Sequence, residues 1–275
     1  MQRDDSPTGG PVTHIELRLD PPLARFRDEV RAFLAEEMAP ERTRGHGDPS
    51  DLTGLDLEFE QQLQRRAAER GYLAISVPAE YGGGGRPPSW KAVWDFEAAY
   101  HDAPAIDTAI TLAGGALLAS GSEEQKQRHL PPMVRGEVLW AIAYTEPDAG
   151  SDLTAIQATA RRVDDGFVLN GRKALVTGSH KADWCLTIAR TDPDASPRRG
   201  MSMFVVDLRA PGVERVRRET ANGWTLGELT FRDVALPADA LVGELHGAWR
   251  QLTSALVEER TGMAWLGWAT RLLDE

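Results

Sequence analysis

The apolar residues of this 275-residue chain change period near Gly136 and again near Gly243, which limits the fold more than any single motif. Leu23, Phe26, Val30, Phe33 and Leu34 fall at offsets 0, 3, 7, 10 and 11, one stripe of an amphipathic helix. Pro22 suits its first turn and Pro40 its end. A second helix is predicted through LEFEQQLQRRAAER, stopping at Gly71, and others over Ser89–Tyr100 and Ile106–Leu118. Ser122 and Gln125 form an S-x-x-Q capping box that opens a helix predicted to end at Pro131-Pro132. Beyond Gly136, the segments LWAIAY, FVLN, GRKALVT, WCLTIAR and MSMFVVD read as short strands separated by turn residues. Asn170-Gly171 predicts a hairpin turn, because type I′ geometry needs positive φ at both central residues; Asp165-Gly166 is a similar mark. After Gly243 the helical period resumes through Trp249, Leu252, Leu256, Met263 and Leu266, predicted as one helix.

The expected architecture is therefore multidomain α+β. Residues 1–20 form a loose leader, 21–137 an all-helical domain, 138–243 an antiparallel β-barrel, and 244–275 the first helix of a further helical domain. Trp249, Trp265 and Trp268 are expected on the face of that last helix which awaits further helices.

Charge and cysteine usage exclude several functions. With 31 Lys+Arg against 42 Asp+Glu the net charge is −11, which argues against nucleic-acid binding by phosphate neutralisation. The single Cys185 forms no internal disulfide and suits a reducing cytoplasm. No apolar run reaches membrane-spanning length, and the N-terminus has no apolar signal core, so a cytoplasmic protein is expected. The scattered histidines show no metal-ligand spacing, so no metal site is expected. Gly82–Gly85 lacks the Lys-Ser/Thr of a phosphate loop and reads as a flexible connection.

The segment TEPDAGSD, Thr145–Asp152, carries the most chemistry. Pro147 fixes φ, Gly150 allows close approach of a ligand, and Thr145 and Ser151 supply hydroxyls. Two readings stay open from these residues alone: a polar turn between strands, or a cradle for a planar, acceptor-rich heterocycle.

The segments AIAYTEPDAGSDL (141–153) and DGFVLNGRKALVTGSHKADWCLTIARTD (165–192) resemble the acyl-CoA dehydrogenase family. The likeness continues in register through RGYLAISVPAEYGGGG, GSEEQKQRHLPPMVRGE, GMSMFVVDLRAPGV, ELTFRDVALPADALVGE and LVEER, nearly the whole chain from about residue 20. The resemblance implies FAD as cofactor and an acyl-CoA or carrier-bound acyl thioester as substrate, converted to its 2,3-enoyl product. It implies that Ile142, Tyr144, Thr145, Gly150 and Ser151, with Leu175, Val176 and Thr177, line the flavin, and that Ser151 also faces the substrate. Many members carry an aromatic residue where this chain has Leu175, so weaker stacking on the flavin is expected there.

The family's reaction begins with a glutamate that removes the α-proton. In most members that glutamate lies late in the C-terminal domain. In a minority it precedes an arginine on that domain's first long helix, the arrangement that Glu259-Arg260 resembles. Glu259 is then the base and Arg260 a substrate contact; the other reading is a solvated Glu258-Glu259-Arg260 cluster. The resemblance also implies an electron-transfer flavoprotein or similar acceptor, and a homo-oligomer or heteromer that completes the C-terminal domain. Two other functions stay open: a flavin oxidase or monooxygenase of the same fold, or a non-catalytic subunit of a heteromeric dehydrogenase.

Overall fold

The computed structural model describes residues 19–48, 56–104, 109–221, 225–259 and 262–275. Among the described residues the α-helices before the sheet are α1 (Pro21–Glu37), α2 (Pro40–Thr43), α3 (Leu57–Glu69), α4 (Pro88–Tyr100), α5 (Gly115–Ser120), which continues a π-helical turn Ala109–Gly114, and α6 (Glu123–Val134). Side chains meet the orphan donors at their N-termini. Asp20 accepts from Leu23 N at 3.0 Å, and Asp56 from Phe59 N at 2.9 Å. The Ser122–Gln125 box closes in both directions, at 2.9 and 3.2 Å. Helix α6 does not stop at Pro131-Pro132 but carries both prolines in its last turn to Val134. The apolar stripe of α1 meets α3 and α4 in an aromatic core, with Phe33 edge-on to Tyr72 at 5.3 Å.

The glycines at 82–85 form a packed turn rather than a flexible one. Gly84 N donates to Ala74 O and Gly85 N to Val77 O, each at 2.9 Å. A Cβ on Gly83 would collide with the Val77 backbone, so glycine is required by close approach.

Among the described residues eight strands follow: β1 (Trp140–Ala143), β2 (Thr159–Val163), β3 (Gly166–Val176), β4 (Trp184–Arg190), β5 (Met201–Asp207), β6 (Val213–Glu219), β7 (Thr225–Pro237) and β8 (Leu241–Val242). The expected closed antiparallel barrel is corrected in two respects. The sheet is an open path, β6-β7-β3-β2-β4-β5-β8, and β1 runs parallel beside β4, as β2 does at one register position. Charge protects the β6 edge: its exposed Glu214, Arg217 and Arg218 disfavour further strand pairing.

The hairpin expected at Asn170-Gly171 is also corrected, because FVLN and GRKALVT form one strand, β3. The turn lies instead between Val163 and Gly166, paired residues joined by Asp164-Asp165. At Asn170 the register against β7 slips, with Asp233 as the extra residue at φ 50°. The Asn170 side chain seals that bulge, donating to Asp233 Oδ1 and accepting from Asp233 N, at 3.0 and 2.9 Å. Asparagine and glycine thus serve a bulge rather than a reversal.

The two faces of the sheet bury separate sets of side chains. Alternate residues of β4 and β5, including Leu186, Ile188, Met203 and Val205, pack with α5, α6 and the helix that follows the sheet. Cys185, Ala189, Phe204 and Val206 join Phe167, Leu169 and Phe231 on the other face. Burial pushes the Cys185 thiol up to about 12, so it remains a protonated core residue.

His129 of α6 lies at the helix–sheet junction, edge-on to Trp140 at 5.3 Å and Trp184 at 4.9 Å. Burial lowers its pKa to about 4, Arg128 adding to the effect and Asp239 opposing it. The unfolded chain therefore binds this proton near pH 6.5 while the folded chain refuses it until about pH 4. The resulting stability is complete above pH 6.5 and is lost as pH falls towards 4. Urea unfolding followed by tryptophan fluorescence should show a loss of about 2 kcal/mol from this group between pH 7 and pH 5. His129→Phe should remove that increment of pH dependence; the same dependence in both proteins refutes the assignment.

Two helices end the chain, α7 (Ala248–Glu259) and α8 (Met263–Asp274), where the periodicity predicts one. Gly262, at φ 72°, breaks the helical path just before α8. Helix α8 lies on α4 through Gly267, where any Cβ would strike Phe96 O. Trp249 is half-buried against the shared core, whereas Trp265 is 74% exposed and contacts Trp268 edge-on.

Candidate functional site

The site forms where β1 ends beside a bulge in β3. Register against β7 slips a second time between Lys173 and Val176. Leu175 takes a left-handed backbone, φ 55°, and its side chain stands 66% exposed. A non-glycine residue in that conformation that also holds an apolar side chain in water marks a re-aimed strand, as bulges beside sites commonly do. Ala174 N donates to Thr145 O at 2.9 Å, which sets TEPDAGSD beside this bulge.

Of the residues implied by resemblance, Ile142 lies in β1, half-buried, and Tyr144 and Thr145 follow it, also half-buried. Gly150, Ser151 and Thr177 are exposed. Val176 differs: its side chain is buried in the sheet core and can offer a ligand only its backbone. Glu259 is the last residue of α7; its side chain and Arg260 lie outside the described residues.

Two residues that support this site were missed in the sequence. Lys173 and Glu146 form a buried ion pair at 2.8 Å. Lys173 Nζ also donates to Ile188 O at 2.8 Å and Tyr144 O at 3.3 Å, so all three of its donors are used. Glu146 accepts from Gln157 N at 2.6 Å and Ala158 N at 3.0 Å. The pair thus ties the exit of β1, the entry of β2, and strands β3 and β4 beneath the turn. Burial draws the Lys173 pKa down, and the Glu146 carboxylate opposes that shift. A signal was available: Lys173 falls in the same alternating phase as Phe167 and Leu169, and a glutamate sits inside the turn motif.

These residues fit a flavin. A Cβ on Gly150 would meet only Thr145 Cγ2, at 3.9 Å, so the face of the turn at Gly150 is open and leaves room for a ring to approach the backbone. The exposed Leu175 side chain offers an apolar surface to a planar ring, and Thr145, Ser151 and Thr177 offer hydroxyls. Among the described residues no cluster of three or more His, Cys, Asp or Glu could hold a metal, and no helix is long and apolar enough to cross a membrane.

Residues 22–137 match the acyl-CoA dehydrogenase N-terminal domain, and residues 141–234 match the acyl-CoA dehydrogenase middle domain. The chain belongs to the acyl-CoA dehydrogenase family. It is similar to acyl-CoA dehydrogenase FadE29 of Mycobacterium tuberculosis, 34% identical over 88% of this chain and 62% of that one. It is 32% identical to the mitochondrial long-chain specific acyl-CoA dehydrogenase of Sus scrofa, over 94% of this chain and 60% of that one. The ChsE4-ChsE5 complex from Mycobacterium tuberculosis superposes with a TM-score of 0.80 at 29% identity, over 89% of this chain and 62% of that one. The chain thus spans about three fifths of the length of each of these relatives. The match supports the oxidoreductase class and the flavoprotein character of the family.

Proposed function

We propose that this chain takes part in FAD-dependent α,β-dehydrogenation of an acyl-CoA, or of a carrier-bound acyl thioester, to the 2,3-enoyl product. The observation that carries this reading is the union of the Thr145–Asp152 turn with the Leu175 bulge over the Lys173–Glu146 pair. In this reading residues 21–137 and 138–243 are the two domains that frame the flavin, and 244–275 begin a helical third. Ile142, Tyr144, Thr145, Gly150, Leu175 and Thr177 hold the ring, Val176 contributes its backbone, and Ser151 faces both ring and substrate.

FAD held by these residues would supply the acceptor for the substrate's β-hydrogen, taken as hydride. Glu259 takes the α-proton, and Arg260 lies on the substrate side next to it. A carboxylate suits this work because desolvation beside the thioester raises its pKa towards working pH. Hydrogen bonds to the thioester carbonyl favour the same step by stabilising the enolate charge.

A second subunit is part of the proposal. The chain is similar in structure to a chain of a solved complex, and α8 leaves Trp265, Leu272 and Leu273 exposed. We place the assembly in the cytoplasm, as a homo-oligomer or heteromer, with an electron-transfer flavoprotein or similar acceptor taking the electrons.

Incubation with FAD followed by desalting tests the cofactor. A retained flavin spectrum that an acyl-CoA bleaches is the expected result, with the chain alone or after adding its partner. Retention of FAD with no bleaching by any acyl thioester, even in the assembly, refutes dehydrogenation and favours a non-catalytic subunit. Oxygen-dependent product formation from reduced flavin favours the oxidase or monooxygenase.

A further inference from the structure

The connection from β3 to β4 carries Thr177, a proposed flavin contact, out of the sheet. Strand β3 ends at Val176, so pairing with β7 no longer fixes the backbone at Thr177, which is exposed. The residues that follow must hold it in place.

Inside its own domain the connection is fastened at several points. Gly178, at φ 68°, accepts at its carbonyl from Lys181 N and Ala182 N, each at 3.0 Å. Ser179 is buried against β7, where a Cβ on Gly227 would strike Ser179 Oγ. Arg215 of β6 donates to Ala182 O at 2.9 Å and to Ser179 O at 3.4 Å. Asp183 Oδ2 accepts from Leu139 N at 3.1 Å, at the entry to β1.

A further fastening comes from the helical domain. Lys181 Nζ donates to Glu60 Oε2 of α3 in an ion pair. The Lys181 side chain is 14% exposed and that of Glu60 8%, and side chains of these types are seldom buried so far unless paired. Breaking such a pair leaves an uncompensated charge out of water, so the two side chains stay together.

Helix α3 is in turn seated on the start of the β domain. A Cβ on Gly136 would lie 3.2 Å from Gln64 C and 3.3 Å from Arg65 N. Residues 60 and 64 share one face of a helix, so this face of α3 meets the chain ahead of β1 and again beyond β3. In chain order its two contacts flank the Thr145 and Thr177 segments of the candidate site.

We propose that the Glu60–Lys181 pair is a strap by which the helical domain sets the position of Thr177 against the flavin, which makes Lys181 a positioning residue. This rests on the flavin reading above.

The test compares Lys181→Gln, Glu60→Gln, Lys181→Arg and Thr177→Val in the FAD-loaded protein, with its partner where the assembly is needed to hold FAD. Flavin fluorescence gives the FAD affinity, the visible spectrum reports the surroundings of the ring, and amide hydrogen exchange follows residues 177–183. Lys181→Gln and Glu60→Gln should each shift the bound spectrum and weaken FAD about three- to tenfold, the worth of one hydrogen bond. Exchange should rise at Ser179, Lys181 and Ala182 and stay unchanged in α1. Lys181→Arg still reaches Glu60 and should retain most of the affinity. In Thr177→Val the positioned contact is already gone, so adding Lys181→Gln should cost nothing more. Where the single variants fold poorly, the reversed pair Glu60→Lys with Lys181→Glu should recover the affinity.

A loss in Lys181→Gln that adds in full to that of Thr177→Val overturns the strap, because general loosening behaves in that way. A reversed pair that folds but binds FAD no better than the single variants also overturns it. No retained FAD in the unaltered protein or its assembly overturns the flavin reading and the positioning role together. Equal FAD affinity and spectrum in the unaltered protein and Lys181→Gln overturn the positioning role alone.

Discussion

Lys173→Met lowers the free energy of unfolding by about 3–5 kcal/mol, read from urea denaturation at neutral pH. The size follows from what the substitution leaves behind. Glu146 is buried, and its carboxylate loses the cation 2.8 Å away while still accepting from Gln157 N and Ala158 N. An uncompensated charge in that interior costs more than the lysine's packing contributes, because methionine fills a similar volume. The effect reaches the site, since Tyr144 O and Ile188 O lose the donor that ties β1 and β4 to β3. FAD retention after desalting should fall with stability. The Glu146→Gln, Lys173→Met double variant should lose less than the two single variants summed, because no lone charge remains. A loss under about 1 kcal/mol for Lys173→Met alone would sink the view that this pair clamps the strands beneath the turn.

Glu259→Gln lowers the rate of flavin reduction by an acyl-CoA by about 10²–10⁴-fold, measured by stopped-flow bleaching of the FAD-loaded protein. Glutamine keeps the shape of the side chain but cannot accept the α-proton, so substrate binding and the flavin spectrum should persist. Glu258→Gln serves as the control and should leave the rate near its original value. This prediction rests on the proposed reaction and on the minority placement of the base. An undiminished rate in Glu259→Gln puts the base elsewhere in the assembly and returns Glu258-Glu259-Arg260 to a solvated cluster.

Much of the helical part was legible because its determinants are local. Ser122 caps the helix it precedes, and the stripe from Phe26 to Leu34 is buried as its spacing predicts; the caps Asp20 and Asp56 follow the same local rule but were not read from the sequence. The helix–sheet–helix order is likewise written in the change from a period near 3.6 to short β-rich segments. The misreadings occur where one local signal serves two geometries. Asn170-Gly171 fits a type I′ turn and also fits a bulge; β7, some sixty residues later, selects the bulge by pairing on both sides of it. The prolines at 131 and 132 read as a stop, yet α6 runs two residues past them, so the two helical donors they remove shorten the helix only at its very end.

The candidate site divides in the same way. Thr145–Asp152 and Leu175–Thr177 were marked by residue type and resemblance, through motifs continuous in sequence. Lys173 with Glu146 was not, because the pair joins residues 27 positions apart that strand register brings together. The sequence by itself determined the period of each segment, the caps that start its helices and the family it belongs to, since these depend on near neighbours and motif order. Only the tertiary structure decided that the sheet stays open, that Leu175 is turned outward on a bulge and that a buried charge pair supports the turn. Each of these depends on which strands pair and in what register, and pairing energy is set by partners distant in the chain.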